Sequence, residues 1–330
     1  MKDQFIARAG KKRARRVDES RFFAQDATKG ARWVNETVSI KLLLIGGERI
    51  VSNERYLILN ADDFGMCHST NEAINTLLTE GSITSASLMM TCPWTLEAVQ
   101  LIKQNPQMDV GIHFTHTSEW NVYKWGPLKA NMTTLVDEKG YFPAATQNVI
   151  THADPEQLRE EAIAQMEFAL KLGLDPTNID NHMGSMHHIM EILLDLCERY
   201  QLPLRYAKQG HSFRTQANHE EIIALAEKKG IQLPDYIEML PFFPPEGTEP
   251  EYQITKDAAI NCIRSLKPGV TELVFHPSLD TSELKGITET WPMRRFEFDV
   301  FRDKEIQELL RSEEIQLIQW RDLRNRQRKL

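Results

Sequence analysis

From residue 55 onward, segments typical of β-strands alternate with segments typical of α-helices. RYLILN (55–60) is a short apolar run, and STNEAINTLLTEG (69–81) after it starts with Ser and Thr and stops at Gly, as helices commonly do. The alternation continues to residue 323 and gives six or seven β-then-α units, which indicates a parallel sheet.

An open doubly wound sheet and a closed barrel both fit this alternation. Two features favour the barrel: no second domain boundary interrupts the units, and they contain no Gly-rich phosphate turn. We therefore predict an α/β protein with one (β/α) barrel domain over residues 54–330.

Residues 1–53 differ from the rest of the chain, because they are basic and lack sustained periodicity. Residues 1–33 carry ten Lys and Arg against four acids, whereas the whole chain has a formal net charge of −8. We interpret 1–53 as a poorly ordered, solvated extension, with a strand or hairpin at 39–51. Nucleic-acid or acidic-membrane binding by KKRARR is the less favoured alternative, and the overall negative charge argues against a general nucleic-acid binder.

Four cysteines are widely spaced and form no CxxC pair, which is typical of reduced thiols in a cytoplasm. No stretch approaches the roughly 18 apolar residues of a membrane span. The basic start is not followed by the apolar core and cleavage site of a secretory signal. We predict a cytoplasmic protein without a membrane span, whose oligomeric state, a homodimer included, is left open.

Polar side chains follow four of the predicted strands at the point where each strand ends. Asp62 and Asp63 follow YLILN, His113 follows DVGI, His182 follows TNIDN, and His276 follows ELVF. The carboxyl ends of parallel strands meet at one mouth of a barrel or one crevice of an open sheet. We therefore expect these side chains to form one site.

One carboxylate and two imidazoles around a divalent cation would leave coordination positions open, as catalytic sites require. No CxxC pair accompanies these positions in the sequence, which excludes a Cys-rich structural zinc site. The remaining carboxylate can act as a general base and the remaining imidazole as a general acid. That combination is suited to attack on an ester or amide carbonyl.

Four stretches resemble the signatures of the YdjC/ChbG-type carbohydrate deacetylases, a family that includes hopanoid-associated deacetylases. They are NADDFG (60–65), GIHFT (111–115), DNHMGS (180–185) and FHPS (275–278). The resemblance extends from about residue 55 to 323. It implies a distorted TIM-like barrel, a divalent cation (Mg²⁺ or Zn²⁺) and hydrolysis of an N-acetyl group from a sugar.

Carried over position by position, the resemblance implies a role for each matched residue. The metal ligands would be Asp63, His113 and His182, the general base Asp62, and the general acid His276. Arg205 in LPLR would hold a carboxylate or contact substrate, with a surface ion pair as the alternative. Relatives carry DSHxHVH where this chain has DNHMGSMHH, so the choice of sugar is open, and we expect His187 and His188 to begin the next helix.

The segment THTSEWNVYKWGPL (115–128) clusters Trp120, Tyr123 and Trp125. Aromatic faces stack on sugar rings, so Trp120 and Trp125 are candidate substrate contacts. Packing that fixes a long loop to the core is the alternative. Phe242 and Phe243 lie in a Pro-rich segment that could approach the same opening.

The prediction is a metal-dependent hydrolase that releases acetate from an N-acetylated amino sugar or oligosaccharide. The alternatives are a metal-dependent hydrolase of a non-sugar amide or phosphoester, and a non-catalytic sugar-binding protein. The last is disfavoured, since a binding protein needs neither a base nor an acid.

Overall fold

The computed structural model describes residues 44–45, 48–49, 53–209 and 218–329. Most of the predicted extension, 1–53, lies outside the described residues, and its boundary with the barrel domain stays a prediction. Within it, Leu44–Ile45 (β1) pairs antiparallel with Glu48–Arg49 (β2), where a hairpin was expected.

The remaining strands form one parallel sheet of seven strands in the described part of the chain. They are β3 (Arg55–Phe64), β4 (Ser85–Leu88), β5 (Val110–Phe114), β6 (Ile179–Asn181), β7 (Tyr236–Met239), β8 (Gly269–Phe275) and β9 (Gln316–Leu317). Their order is β6-β5-β4-β3-β8-β7, and β9 pairs with the start of β3.

The α-helices follow the strands along the chain. They are α1 (His68–Glu80), α2 (Thr95–Gln104), α3 (Thr146–His152), α4 (Pro155–Lys171), α5 (Met190–Tyr200), α6 (His219–Lys228), α7 (Tyr252–Arg264), α8 (Ser282–Ile287), α9 (Trp291–Val300), α10 (Lys304–Ser312) and α11 (Trp320–Gln327). Two short 3₁₀ helices, His182–Gly184 and His187–Ile189, lie between β6 and α5.

The sheet curls into an incomplete barrel. Residues 203–205 pair with β6 through bonds from the Ile179 N–H to the Pro203 carbonyl and from the Arg205 N–H to the Ile179 carbonyl. The same segment continues alongside 232–235, which lead into β7. The predicted α/β class and distorted barrel are confirmed. The alternating sequence pattern also predicts LPLRYA (202–207) as a strand, and this is wrong, because the segment makes only an isolated bridge, Ile179 to Leu204.

Strand β3 shows how sequence periodicity places the site. Nine of its ten residues are buried, as expected of a parallel strand covered on both faces. Tyr56 and Ile58 pack with Trp320, whereas Leu57 and Leu59 join the larger cluster beneath the helices. The face that carries Tyr56 and Ile58 continues upward, by period two, to the polar Asn60 and Asp62.

None of the helices in the described residues is long and apolar enough to cross a membrane. Cys67, Cys92, Cys197 and Cys262 are all free thiols. Three helices, α3, α8 and α9, lie in stretches where the sequence pattern indicated none.

Candidate active site

A bulge at the end of β3 brings two adjacent carboxylates to one site. Neighbouring side chains of a regular strand point to opposite faces. The pairing of β3 with β4 shifts register between Ala61 and Phe64, and Asp63 has a φ of 70°, a left-handed conformation that costs energy for a residue with a Cβ. As a result, Asp62 Oδ2 and Asp63 Oδ1 lie 3.6 and 3.9 Å from the same nitrogen, His113 Nε2.

Asp63, His113 and His182 offer three ligand atoms to one point. His182 Nδ1 lies 3.3 Å from His113 Nε2 and 3.5 Å from Asp63 Oδ1. Ligands held about 2.1 Å from one tetrahedral ion are about 3.4 Å apart. The three buried side chains therefore have the spacing of a site that could hold a metal ion.

The bonding of Asp63 supports this fit. Its Oδ2 accepts a hydrogen bond from Arg294 Nη1 at 2.8 Å, but its Oδ1 is buried without a hydrogen-bond partner among the described residues. A buried carboxylate oxygen without a partner is energetically costly, and a cation at the triad would satisfy it.

Each histidine of the triad is oriented by a carboxylate on its far side. His113 Nδ1 donates to Asp180, and His182 Nε2 donates to Glu119 Oε1 at 3.1 Å. When a ring is neutral, its donating nitrogen fixes the tautomer, so that the lone pair of the other nitrogen faces the triad. This arrangement is typical of metal-binding histidines. Asp62, His113 and Asp180 form a second group with suitable spacing, but there Arg205 bonds both carboxylates.

Arg205 holds Asp62 through both carboxylate oxygens. Its Nη1 and Nη2 each lie 2.7 Å from an oxygen of Asp62, and its Nε donates to Glu272 at 2.9 Å. Burial raises the pKa of Asp62, but the guanidinium outweighs burial, so the pKa lies below its usual value. Asp62 is therefore ionised at neutral pH. Arg205 is buried, which excludes the surface ion pair, and its contacts are those of a residue that holds carboxylates.

His276 completes the group on the other side of Asp62. Its Nε2 lies 3.9 Å from Asp62 Oδ2, its ring makes a tilted contact with Phe242 with centroids 4.0 Å apart, and its backbone N–H donates to Glu297. Burial lowers the pKa of His276 to about 4, so the ring is neutral at neutral pH.

Glu272 contacts Arg205, Glu297 contacts the backbone of His276, and neither carboxylate had been predicted. Burial raises the pKa of Glu272 to about 7 and that of Glu297 to about 8. Glu272 also accepts from the indole N–H of Trp320 at 3.0 Å. A charged residue within the apolar run VTELVF was the signal that could have identified Glu272.

Helix α9 supports two of the site residues. Arg294 bonds Asp63, and Glu297, one turn later, accepts from the backbone of His276. Because no helix was expected over this stretch, neither residue had been predicted. Asp180 and Glu119 had also been missed, although Asp180 lies only two residues before His182.

The aromatic residues of 115–128 lie at different depths. Trp120 is partly exposed, whereas Trp125 is 3% exposed, packs edge-on against Trp120 and donates its indole N–H to the Thr117 carbonyl. Tyr123 donates to the Met66 carbonyl. Trp120 is thus the more exposed of the two tryptophans, and Trp125 is buried against it. His187 and His188 begin the second 3₁₀ helix rather than joining the triad.

Comparisons with known proteins identify the family of this chain. The sequence model of the YdjC-like protein family matches residues 56–312. A carbohydrate deacetylase of Geobacillus stearothermophilus is 31% identical over 275 residues, which cover 81% of this chain and 98% of the relative. One of Thermoanaerobacter pseudethanolicus is 29% identical over 265 residues, 80% of this chain and 97% of the relative.

Among solved structures, a protein of Enterococcus faecalis V583 superimposes with a TM-score of 0.68 at 24% identity. The superposition covers 82% of this chain and 99% of that protein. At this identity the likeness shows the fold alone, and it supports the distorted barrel.

Proposed function

This chain belongs to the YdjC-like protein family, and we propose that it hydrolyses the N-acetyl group of an acetylated amino sugar or oligosaccharide in a metal-dependent reaction. The relatives named as carbohydrate deacetylases support the reaction and the substrate class. The observation that carries the proposal is the position of Asp63 Oδ1, which has no hydrogen-bond partner in the described part of the chain and faces two imidazole nitrogens beside an ionised Asp62.

Asp63 Oδ1, His113 Nε2 and His182 Nδ1 would hold the cation. When bound, a divalent cation polarises the acetamide carbonyl and lowers the pKa of water. Two imidazoles and one carboxylate suit Zn²⁺ better than Mg²⁺, which prefers oxygen ligands, so we propose a zinc-type ion. Glu119 and Asp180 hold the two imidazoles in the orientation this requires.

Asp62 is the general base of the proposed reaction. Arg205 keeps it ionised and fixes both of its oxygens, so Oδ2 faces the gap between His113 and His276. From that position Oδ2 takes the proton of the attacking water. Arg205 thereby acts on the reaction through Asp62.

His276 is the general acid. Because its ring is neutral at rest, it must gain the proton that it delivers during turnover. Asp62 Oδ2 is 3.9 Å from His276 Nε2, so the proton taken by Asp62 passes through the reacting group or a bridging water to His276, and then to the departing amine. The products are acetate and a free amino sugar.

Trp120 is the proposed sugar contact, supported from below by Trp125. Its ring is partly exposed on the segment that also carries Glu119, next to the triad. An aromatic face at this position can stack on a pyranose ring while the acetamide reaches the base. Arg205, which is held by carboxylates, is assigned no direct sugar contact.

The test is acetate release from N-acetylglucosamine oligomers of increasing length, with and without a chelator. Generic acetamides and phosphoesters serve as competing substrates. We expect acetate from at least one acetylated sugar, loss of activity with chelator, and recovery on addition of Zn²⁺. Turnover of the amides or phosphoesters alone, or full activity in chelator, would overturn the proposal.

A further inference from the structure

Glu119 contacts a residue of the triad and immediately precedes the proposed sugar contact. Its Oε1 accepts from His182 Nε2 at 3.1 Å and from the hydroxyl of Thr117. The next residue is Trp120.

Residues 117–125, here called the Trp120 loop, are closed at their base by internal bonds. The indole N–H of Trp125 donates to the Thr117 carbonyl at 2.8 Å, and the backbone N–H of Trp125 donates to the Ser118 hydroxyl at 3.2 Å. Between these bonded ends lie residues 119–124, of which Val122 is 82% exposed. The tip is held by the packing of Trp120 and Tyr123 on Trp125 and by its contacts with the barrel.

Three of the contacts with the barrel involve a triad residue, a residue bonded to the triad, or the backbone three residues after Asp63. Glu119 bonds His182, the guanidinium of Arg294 lies 5.8 Å from the ring of Trp120, and Tyr123 donates to the Met66 carbonyl. Arg294 in turn bonds Asp63. Of the three contacts, the carboxylate of Glu119 reaches a metal-ligand histidine directly.

We propose that Glu119 is a positioning residue with two simultaneous effects: it orients His182 toward the cation, and it anchors the loop that presents Trp120 to the sugar. This inference rests on the proposed function for the identity of the cation site and of the sugar contact. A shift of Glu119 moves His182 and Trp120 together, so the metal site and the sugar contact are built on one carboxylate.

Variants at neighbouring positions separate the two effects. Glu119→Ala removes the acceptor, and Glu119→Gln keeps an oxygen that can accept from His182 Nε2. Trp120→Ala removes the sugar contact and leaves Glu119 in place. Glu138→Gln is the matched control, because Glu138 is an exposed carboxylate in the same connection between β5 and α3.

The first measurement is Zn²⁺ affinity of the metal-stripped full chain, by competition with a chromophoric chelator. The loss of an outer partner of a metal-bound histidine typically lowers metal affinity about 10–100-fold, and we expect this for Glu119→Ala. Glu119→Gln should lose less, since it retains the hydrogen bond. Trp120→Ala and Glu138→Gln should match the unmodified chain.

The second measurement is hydrogen exchange in peptides that cover 116–126. Glu119→Ala should accelerate exchange in the Trp120 loop, Glu119→Gln should restore part of the protection, and Glu138→Gln should change nothing. Unchanged Zn²⁺ affinity in Glu119→Ala, or lowered affinity with unchanged loop exchange, would overturn the inference.

Neither measurement needs turnover, so the two proposals can fail separately. A chain that shows both Glu119 effects and releases no acetate from any sugar refutes the proposed function and leaves the positioning role standing. A chain that releases acetate while Glu119→Ala behaves like the unmodified protein refutes the positioning role alone. If the unmodified chain binds no Zn²⁺, the inference falls together with the zinc assignment.

Discussion

Arg205 holds Asp62 in a two-pronged ion pair, with both nitrogen–oxygen distances at 2.7 Å, deep inside the barrel. The same guanidinium also contacts Asp180 and Glu272, so three buried carboxylates share one cation. Asp180 in turn orients His113, and Asp62 faces His276. One arginine thus links the proposed base to the supports of the metal site.

Arg205→Met should be strongly destabilising. It leaves buried carboxylates without their cation, and loss of one partner of a buried ion pair costs about 3–5 kcal/mol. The measurement is the free energy of unfolding from urea titrations of the metal-stripped protein. Arg302→Met is the control, because the pair of Arg302 with Glu80 is exposed and should contribute less than about 1 kcal/mol. Equal, small losses in the two variants would show that Asp62 does not depend on Arg205.

Asp62→Asn should abolish most turnover without loss of metal. The amide keeps the shape of the side chain but cannot take a proton, and general-base catalysis typically contributes about 10²–10⁴-fold. The measurements are kcat for acetate release and the metal content of the purified protein. Turnover within a few-fold of the unmodified enzyme would remove Asp62 from the role of base.

His276→Ala should lower kcat/KM most for the substrates whose leaving amine is most basic. An amino sugar needs a proton to depart, whereas the less basic amine of an acetanilide needs it less. We therefore expect a larger fall in kcat/KM for the acetylated sugar than for an acetanilide that the unmodified enzyme turns over. An equal fall for both would indicate that His276 supports the site in another way.

Metal binding should release a proton, because His182 is protonated in the metal-free protein and must be neutral to bind the ion. Burial alone lowers the pKa of His182, but Glu119 and Asp63 outweigh it and raise the pKa to about 10 in the metal-free protein. Since the ligand form is neutral, zinc displaces a proton at any pH below that value, and apparent affinity should rise about tenfold per pH unit as pH increases toward it.

The measurement for this prediction is calorimetric titration with Zn²⁺ in buffers of different ionisation enthalpy. The expected result is release of about one proton near neutral pH. Heat that is independent of the buffer, together with an affinity that does not change with pH, would contradict the predicted protonation of His182.

The sequence predicted the repeating β/α units and located the polar strand ends, because both are local patterns. Parallel strands place their carboxyl ends together, so Asp62, His113 and His276 could be grouped without coordinates. The bulge that brings Asp62 and Asp63 to one side could not be predicted from two adjacent aspartates in the sequence, because it depends on the pairing of β3 with β4.

The supporting residues were missed because they act from a distance along the chain. Arg294 lies 231 positions from Asp63, and Glu119 lies 63 positions from His182. Burial likewise decided between Trp120 and Trp125, which look equivalent in the sequence but differ in exposure. Residues that contact each other only in the tertiary fold have no regular spacing in the sequence from which their contact could be predicted.

The most direct test of the central claim is anomalous diffraction at the zinc absorption edge from crystals soaked in Zn²⁺. The account predicts a single strong peak within about 2.3 Å of Asp63 Oδ1, His113 Nε2 and His182 Nδ1. A protein that binds zinc with its peak elsewhere, or with any of these three side chains turned away from the ion, would contradict it.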